Sequence, residues 1–431
     1  MSHPWRPTAA LLRAALASLL LAGLAVVGGR PDLLVIAAPL LVFAAAAVLH
    51  RPSQLPRADT SLLHATLREG EGTVVRATVS NGAEVEHAVA ALTPRRFLAF
   101  KPPQGVRGVT VPVGSDRVVV DIPVGTTRWG RRSVGDGLVA ATSAWAGFRW
   151  GPCAVQSQML TTLPLPGQFD TTAPTPHPIG LVGANPARRT GDGTDFSSIR
   201  PFYPGDRLRR VQWRVSLRTG ALHVTSTHSE EDSSILLVVD AVADLGVGGG
   251  ITGRASSLDV TVRAAGAVAE HYLHRGDLVG LRVLGSTKRN TVAMGAGTRH
   301  LRRVLDTLAY IVPGADRQVG ARRMQFGLSE GTVVVVLSPM LSDEAIGATL
   351  TLAQRGLSVI VVDTLPGDLD LGDDDPRLLL AWRLRGLERD ALLRKVQKAG
   401  VPVVPWRGPG TLDKVLRRLG RRASMAKLAR R

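Results

Sequence analysis

The sequence predicts a multi-domain protein with an N-terminal transmembrane helical hairpin, an all-β sandwich-like domain and a doubly wound α/β domain. Three observations predict it. Two long apolar segments lie within the first 50 residues, short alternating strands follow, and the second half holds continuous apolar strands separated by helices. A chain of 431 residues is long enough for several domains, each with a core of its own.

The transmembrane hairpin is predicted over residues 1–50. Residues 8–27 are apolar except for Arg13, and residues 33–49 contain no charged side chain. A helix of about 20 apolar residues crosses a bilayer, and about 17 are the minimum, so both segments are long enough. Arg13 lies near the start of its segment, where its long side chain can extend to the membrane surface. The short connector GGRPD makes the pair a tight hairpin.

The flanking charges predict how this hairpin lies in the membrane. Basic residues stand beside its two outer ends: Arg6, Arg13, Arg51 and Arg57. The connector holds Arg30 next to Asp32. Because positively charged flanks stay in the cytoplasm, we expect both ends, and everything after residue 50, on the cytoplasmic side of the plasma membrane. The alternative is that the first segment is a cleaved signal peptide; the second would still return the chain to the cytoplasm.

The chain carries a formal charge of +18, from 53 basic and 35 acidic residues. Most of the basic residues are arginine, an excess that can follow from genomic base composition, so the diffuse charge is weak evidence for nucleic-acid binding. A basic tail, residues 421–431, is expected to be a solvated end, with contact to the anionic membrane surface or to nucleic acid as the alternatives. Cys153 is the only cysteine, so the chain forms no internal disulfide and requires no oxidising compartment.

A β-rich domain is predicted over residues 58–163. Its strands are short, alternate between apolar and polar residues, and stop at turn residues such as the Asn-Gly pair at 81–82. This rhythm is typical of an all-β sandwich. Residues 164–190 are rich in proline and poor in apolar residues, which predicts a linker.

Residues 234–420 are predicted to form the doubly wound α/β domain. Continuous apolar runs indicate strands buried on both faces, as in a parallel sheet; they lie at 234–240, 277–285, 332–338, 357–363 and 401–406. Helices between them are expected to begin at the following caps: Ser256 or Ser257, Thr298, and Ser342. In such sheets the ligand site lies beyond the carboxyl ends of the strands, which places Asp240, Ser338 and Asp363 at that edge.

Residues 205–220, GDRLRRVQWRVSLRTG, contain five arginines around one tryptophan. We predict an amphipathic helix capped by Asp206. Helical spacing would place four arginines on one face: Arg207, Arg210, Arg214 and Arg218. Leu208, Val211 and Val215 would form a neighbouring apolar stripe that packs on the sheet. Guanidinium groups in this arrangement can bind carboxylates or phosphates through paired hydrogen bonds.

Taken together, residues 193–224 resemble the signature of the domain of unknown function 58 family. That signature runs through glycine, Asp/Glu-Phe, Arg-x-Tyr/Phe, Pro-Gly-Asp, Arg-x-Ile/Val-x-Trp, Ser/Ala-Arg and a following strand. The positions that fit it are Asp195, Phe196, Arg200, Pro204, Gly205, Asp206, Arg209, Trp213, Arg214, Ser216 and Arg218. We take residues 191–233 as the signature segment, and the resemblance extends more loosely over nearly the whole chain.

This resemblance implies a membrane-anchored cytoplasmic protein with a von Willebrand factor A-like C-terminal domain. Members of the family are often encoded beside a MoxR-type AAA+ ATPase and a transglutaminase-like membrane protein. No reaction is established for the family. The resemblance therefore implies architecture and partners rather than chemistry, and we assign no catalytic residue and no cofactor.

A von Willebrand factor A domain typically binds a divalent cation through Asp-x-Ser-x-Ser after its first strand, because hard cations take oxygen ligands. Here Asp240 begins the motif, but Val242 and Asp244 replace its two serines, and the aspartate expected after Ser338 is missing. Asp343 could substitute for it. A magnesium site formed by these three aspartates is a weak hypothesis, and the alternative is that Asp240 is only a polar strand end.

We expect the protein to be a membrane-tethered scaffold or adaptor rather than an enzyme, with a protein partner such as an AAA+ ATPase. In this hypothesis Arg209 and Arg214 are held at the junction with the first strand, while Arg207, Arg210 and Arg218 face the partner. Two alternatives stay open. One is metal-dependent hydrolysis or group transfer at the strand-end edge; the other is nucleic-acid binding by the arginine face, which would be sensitive to salt.

Overall fold

The computed structural model describes most of the chain. The described residues are 4–112, 114–165, 167, 190–203, 208, 211–228, 234–285, 291–314, 332–372, 375–413 and 415–417. The chain divides into two compact units, which we describe separately. Unit 1 comprises Met1–Leu165, Gly248–Arg254 and Leu308–Tyr310, and unit 2 comprises Pro166–Val247, Ala255–Thr307 and Ile311–Arg431.

Unit 1 contains the two apolar helices, α1 (Ala9–Val27) and α2 (Asp32–Leu49). Thr8 caps α1, because its side-chain oxygen accepts a hydrogen bond from the backbone N–H of Leu11 at 3.2 Å. The mean hydropathy of the two helices is 2.2 and 2.5, and only 22% and 17% of these spans is buried. The prediction of two long apolar helices is confirmed, and by length and composition both can cross a membrane.

One end of this hairpin packs on the β-rich body of unit 1. The backbone N–H of Thr8 donates to the carbonyl of Gly147 at 2.9 Å, and its hydroxyl donates to the carbonyl of Ala146 at 2.8 Å. From α2, Ala47 is fully buried, and a Cβ added to Gly147 would lie only 2.6 Å from that of Ala47. The start of α1 and the end of α2 therefore meet the same short loop.

The body of unit 1 is made of short strands. They are β1 (Arg6–Pro7), β2 (Arg57–Leu62), β3 (Thr66–Arg68), β4 (Gly72–Ser80), β5 (Val85–Leu92), β6 (Leu98–Phe100), β7 (Val106–Thr110), β8 (Arg117–Thr126), β9 (Gly130–Val134), β10 (Gly137–Ser143), β11 (Phe148–Val155) and β12 (Gln158–Leu163). They form three sheets, in the orders β1-β11-β10-β5-β7, β2-β4-β8-β6 and β3-β12-β9. A 3-10 turn, Ala144–Ala146, lies between β10 and β11.

The three sheets share one apolar core. Strands β4 and β8 pair in antiparallel register, and both alternate between buried and partly exposed residues, as the sequence predicts. Ile122 and Leu160 are among the largest fully buried side chains of this core. Cys153 is buried at its margin, and this burial raises the pKa of its thiol.

In unit 2 the signature segment forms a hairpin with a short helix. Strand β13 (Thr190–Pro201) pairs in antiparallel register with β14 (His223–His228), and Arg200 lies opposite Val224. Helix α3 (Trp213–Thr219) lies between the two strands in the chain and ends at Gly220, whose φ is +69°. Glycine adopts this left-handed conformation without strain, so it ends the helix here.

Among the described residues of unit 2, the hairpin is followed by a six-stranded sheet and four helices. Its strands are β15 (Ser234–Asp240), β16 (Leu278–Leu284), β17 (Thr291–Gly295), β18 (Val333–Ser338), β19 (Ser358–Asp363) and β20 (Val403–Pro405). Their order is β17-β16-β15-β18-β19-β20. All neighbours are parallel except β16 and β17, which are antiparallel. The sequence predicts the five parallel strands, and it does not predict β17.

The helices of this part are α4 (Ser257–His274), α5 (Thr298–Ala309), α6 (Asp343–Gln354) and α7 (Pro376–Lys398). Ser256 caps α4 in a reciprocal capping box with Asp259, and Ser342 caps α6. Both caps are predicted from the sequence. Helix α7 is not.

Both faces of the sheet are covered. Leu236 and Val238 of β15 belong to a core that includes residues of α6 and Val396 of α7. Leu237 and Val239 alternate with them, so they point to the opposite face, and both are fully buried. Burial on two faces explains why the strands have continuous apolar sequences.

Candidate functional site

The carboxyl end of β15 holds a buried aspartate. Asp240 is 3% exposed. Its Oδ2 accepts hydrogen bonds from the hydroxyls of Ser338 at 2.6 Å and Ser342 at 2.9 Å, and its Oδ1 accepts one from the backbone N–H of Val242 at 3.1 Å. The sequence predicts Asp240 and Ser338 at this edge, and the structure brings them together. Ser342 was predicted only as a helix cap.

The hydrogen bonds around Asp240 have a fixed direction. Ser338 Oγ accepts from the backbone N–H of Met340 at 2.8 Å, and Ser342 Oγ accepts from that of Ala345 at 3.3 Å. Because these acceptor positions are used by main-chain donors, both hydroxyl protons point at the carboxylate. Asp240 is thus an acceptor with three donors, and it connects β15, the end of β18 and the start of α6.

Burial raises the pKa of Asp240, because a charged carboxylate loses its hydration inside the protein. The three donated hydrogen bonds act in the opposite direction and favour the charged form, while Glu344 adds a small like-charge repulsion. A buried carboxylate without hydrogen-bond donors would carry a large free-energy cost. Here Ser338, Ser342 and the backbone amide of Val242 supply the donors.

The other two aspartates of the metal hypothesis have different surroundings. Asp244 Oδ1 accepts from the backbone N–H of Leu258, in the first turn of α4, at 3.2 Å. Asp343 is exposed at the start of α6. Over the residues that the structure describes, no three or more His, Cys, Asp or Glu side chains form a group that could hold a metal ion. The described part of the chain therefore does not unite Asp240, Asp244 and Asp343 in one ligand set.

Two arginines of α7 hold the loop that follows β18. Arg389 Nε donates to the carbonyl of Pro339 at 2.7 Å, and its guanidinium forms an ion pair with Asp363 at the end of β19. Arg385 Nη2 donates to the carbonyl of Leu341 at 2.6 Å. This clamp was missed by sequence reasoning, because contacts between arginines and backbone carbonyls leave no spacing pattern in a sequence.

The prediction of one long arginine helix is wrong. Helix α3 covers only Trp213–Thr219 and starts after Gln212. Just before it, Val211 forms an isolated antiparallel bridge with Val224 of β14, which interrupts the predicted helix at this residue. Of the four arginines predicted to share a helical face, α3 contains Arg214 and Arg218.

The surface of α3 is apolar as well as basic. Trp213 is 61% exposed and Leu217 is 83% exposed, one turn apart on the same helix. Arg214 and Arg218 follow them by one position each and are also exposed. The exposure of Arg214 differs from the expectation that it would be held at the strand junction. Tyr203, 61% exposed, lies before this helix in the chain.

Two further signature residues have structural contacts. Ser216 is buried; its hydroxyl donates to the carbonyl of Gln212 at 2.9 Å and accepts from the backbone N–H of His223 at 2.9 Å, which ties α3 to β14. Arg200 lies over the ring of Tyr203, 5.6 Å from its centroid, and donates to the carbonyl of Pro201.

Asp206, Arg207, Arg209 and Arg210 lie outside the described residues, as do the basic tail and nearly all of the predicted linker. Asp195 lies in β13, within the described backbone.

One family model matches part of this chain. Residues 198–374 match the model of the family described as Protein of unknown function DUF58. The match begins in β13, includes the arginine segment and the Asp240 edge, and ends just before α7. It agrees with the resemblance seen in the signature residues.

The relatives that this chain matches bear the description uncharacterized protein. Proteins Mb1516 of Mycobacterium bovis and Rv1480 of Mycobacterium tuberculosis are each 27% identical to this chain over 175 residues. Each match covers 41% of this chain and 48% of the relative. The chain thus spans about half the length of the curated relatives it matches.

Similarity to solved structures is too low to support any conclusion about fold. The cupredoxin domain of amoB from Nitrosocaldus yellowstonii is 10% identical with a TM-score of 0.15, over 26% of this chain and 88% of that one. The bacterial hydrophobin BslA is 8% identical with a TM-score of 0.15, over 25% of this chain and 99% of its own.

Proposed function

We propose that this protein is a membrane-anchored adaptor that keeps the β-rich body of unit 1 and all of unit 2 on the cytoplasmic side of the plasma membrane. In this proposal it binds a protein partner through the signature segment. The observation that carries the proposal is the exposed Trp213–Leu217 pair beside two exposed arginines, in a chain that also has two exposed apolar helices. Tryptophan and arginine are enriched among the residues that dominate protein interfaces.

The contacts of the hairpin support the topology. Since the start of α1 and the end of α2 both meet the loop around Gly147, the two outer ends of the hairpin and the β-rich body lie on one side of the spans. Arg6 and Arg51 belong to this same end. The positive-inside rule then assigns that side to the cytoplasm.

The proposed partner is a MoxR-type AAA+ ATPase, which the family resemblance suggests. The proposed architecture of unit 2 is a von Willebrand factor A-like domain. In its favour, the strand order β17-β16-β15-β18-β19-β20 corresponds to 3-2-1-4-5-6, the order of a doubly wound sheet, with Asp240 at the carboxyl edge of the first strand.

The topology is tested by adding protease outside intact cells. We expect the β-rich body of unit 1 and unit 2 to be protected until the membrane is opened, whereas digestion of the bulk of the chain in intact cells would contradict the topology.

The docking surface is tested by detergent pull-down of the full chain. We expect capture of the ATPase to fall roughly tenfold with Trp213→Ala, as for an interface residue worth about 1.4 kcal/mol or more. The matched control is Trp145→Ala, which removes an exposed tryptophan (55%) from unit 1. Equal capture by wild type and both variants would refute the assignment of the surface.

A further inference from the structure

Helix α7 has an inner and an outer face. Its only buried residue is Val396, and the two arginines that clamp the loop after β18 lie on the same side of the helix as Val396. At about 100° per residue, Leu380, Leu384, Leu387 and Ala391 lie roughly 120–180° away from Val396. The clamp therefore directs this second set of apolar residues away from the sheet.

The outer face carries an apolar stripe without cover among the described residues. Leu380, Leu384 and Leu387 are 59%, 56% and 66% exposed, and Ala391 is also exposed. Their spacing of four, three and four residues is that of the a and d positions of a heptad, with Leu380 and Leu387 at d and Leu384 and Ala391 at a. Such spacing forms a seam for another helix.

The charges beside the stripe identify what kind of helix fits it. With the heptad fixed by the leucines, Arg383 and Asp390 occupy g positions, and Glu388 and Lys395 occupy e positions. In a parallel pair, a g residue meets the e residue five positions later in the other helix. Arg383 then meets Glu388, which also forms an ion pair with Arg385 of its own helix at 2.8 Å, and Asp390 meets Lys395. Each pair joins opposite charges, and in a symmetric dimer each pair forms twice.

We propose that the outer face of α7 pairs with the same face of a second copy of this chain, as a short parallel coiled coil. The four apolar layers extend over about 16 Å, and Arg377 and Arg394 occupy the next seam positions at either end. A seam of this length is weak. We therefore expect pairing at native density in the membrane and dissociation on dilution in detergent. This proposal is independent of the partner proposed for α3.

The pairing is tested by cysteine cross-linking of the full chain in native membranes. The only native cysteine, Cys153, is buried, so an introduced cysteine reports on its own position. We expect Leu380→Cys and Ala391→Cys each to form disulfide-linked dimers by themselves. An antiparallel pair would hold two copies of residue 380 about 16 Å apart and would cross-link only a mixture of the two variants.

A matched control lies on the same helix. Leu379→Cys replaces a leucine that is 41% exposed and next in sequence to Leu380, but it stands at a c position off the seam. We expect its cross-linked fraction to be at least roughly fivefold lower. Cross-linking of only the mixed 380 and 391 variants would overturn the parallel arrangement. Protection of Leu380→Cys from a water-soluble maleimide without any dimer would mean that lipid, another protein or another part of the chain covers the stripe, and would overturn the proposal.

The charge pairs provide the second test. Arg383→Glu places like charges against Glu388 of the second copy, and we expect it to lower the dimer fraction of the Leu380→Cys background roughly fivefold. Adding Glu388→Arg reverses both charges and should restore the dimer. Equal dimer fractions in Leu380→Cys alone, with Arg383→Glu, and with Arg383→Glu and Glu388→Arg together would refute the assigned register.

Discussion

Helices α4 and α7 lie in the same unit and have opposite relations to the solvent. Helix α4 has 18 residues, of which thirteen are buried. Helix α7 has 23 residues, and only Val396 is buried. Yet both are rich in apolar residues. In α4 the apolar residues pack in the core of the domain. Those on the outer face of α7 are exposed, and in our proposal they pair with a second copy of the chain.

The largest expected effect is the difference in the free energy of unfolding between alanine variants of a leucine in α4 and a leucine in α7. Leu258 of α4 is 1% exposed, so Leu258→Ala should lower the free energy of unfolding by about 2–5 kcal/mol through lost burial and a cavity. Leu387→Ala in α7 should change it by less than about 0.5 kcal/mol in the dissociated protein. Denaturant unfolding in detergent at low protein concentration measures both. Similar costs would remove the distinction between the helices.

A second large effect is expected at Asp240, next to the loop that α7 clamps. In Asp240→Asn an amide donor must face either the two serine hydroxyls or the N–H of Val242, which are donors themselves. We expect a loss of about 2–3 kcal/mol. Asp343→Asn, on an exposed residue, is the control. A stabilising shift of the melting temperature by MgCl2 that Asp240→Asn abolishes would instead support the metal hypothesis.

The polar anchoring of α7 should have a smaller but clear effect. The side chains of Arg389 and Asp363 are 11% and 18% exposed, and Arg389→Ala leaves both the carboxylate and the carbonyl of Pro339 without this donor. A loss of about 2 kcal/mol is expected. Arg394→Ala removes an exposed arginine of the same helix and should be neutral for unfolding. If the two variants unfold alike, the clamp does not hold the helix.

The cap of α4 is expected to matter less. Ser256 accepts a hydrogen bond from the backbone N–H of Asp259 at 3.2 Å and is fully buried. Ser256→Ala should cost about 1 kcal/mol. The corresponding change at the start of α7, Asp375→Ala, should cost less, because that cap is exposed. Thermal unfolding compares them, and a larger cost for Asp375→Ala would reverse the ranking.

The smallest effect at neutral pH concerns Tyr272 of α4. Burial, followed by the charge of Asp277, raises the pKa of this phenol well above its usual range. The phenol therefore keeps its proton in the folded state at pH values where the unfolded state loses it. The contribution of Tyr272 to the free energy of unfolding is fully present below the pKa of the unfolded state and is lost as the pH rises above it. Tyr272→Phe should flatten this alkaline loss between about pH 10 and 12. A melting temperature with the same pH slope in both proteins would contradict it.

The sequence predicts most of the elements that meet the core. Strand β15 coincides with the predicted run, and α4 and α6 begin at predicted serine caps, because burial on two faces and capping both leave local patterns. Helix α7 was missed because only a few of its apolar residues, Val396 with Leu392 and Leu393, pack against the core, and the arginines that also hold it leave no periodic pattern. The arginine helix was overpredicted, since the bridge between Val211 and Val224 overrides local helical spacing.

The candidate site was predicted only in part. Asp240 and Ser338 follow from their position at strand ends, but the contribution of Ser342 depends on how its loop folds back. Whether an arginine is exposed depends on tertiary packing, and for this reason the expectation for Arg214 differed from the structure.

The clamp of α7 has a mechanical consequence. Arg385 and Arg389 bind main-chain carbonyls, so a displacement of the helix would act in part on the peptide units between Ser338 and Ser342. Those two serines are the ones whose hydroxyls reach Asp240. A displacement of the outer face of α7 would therefore be transmitted through this loop to the hydrogen bonds of the buried carboxylate of Asp240.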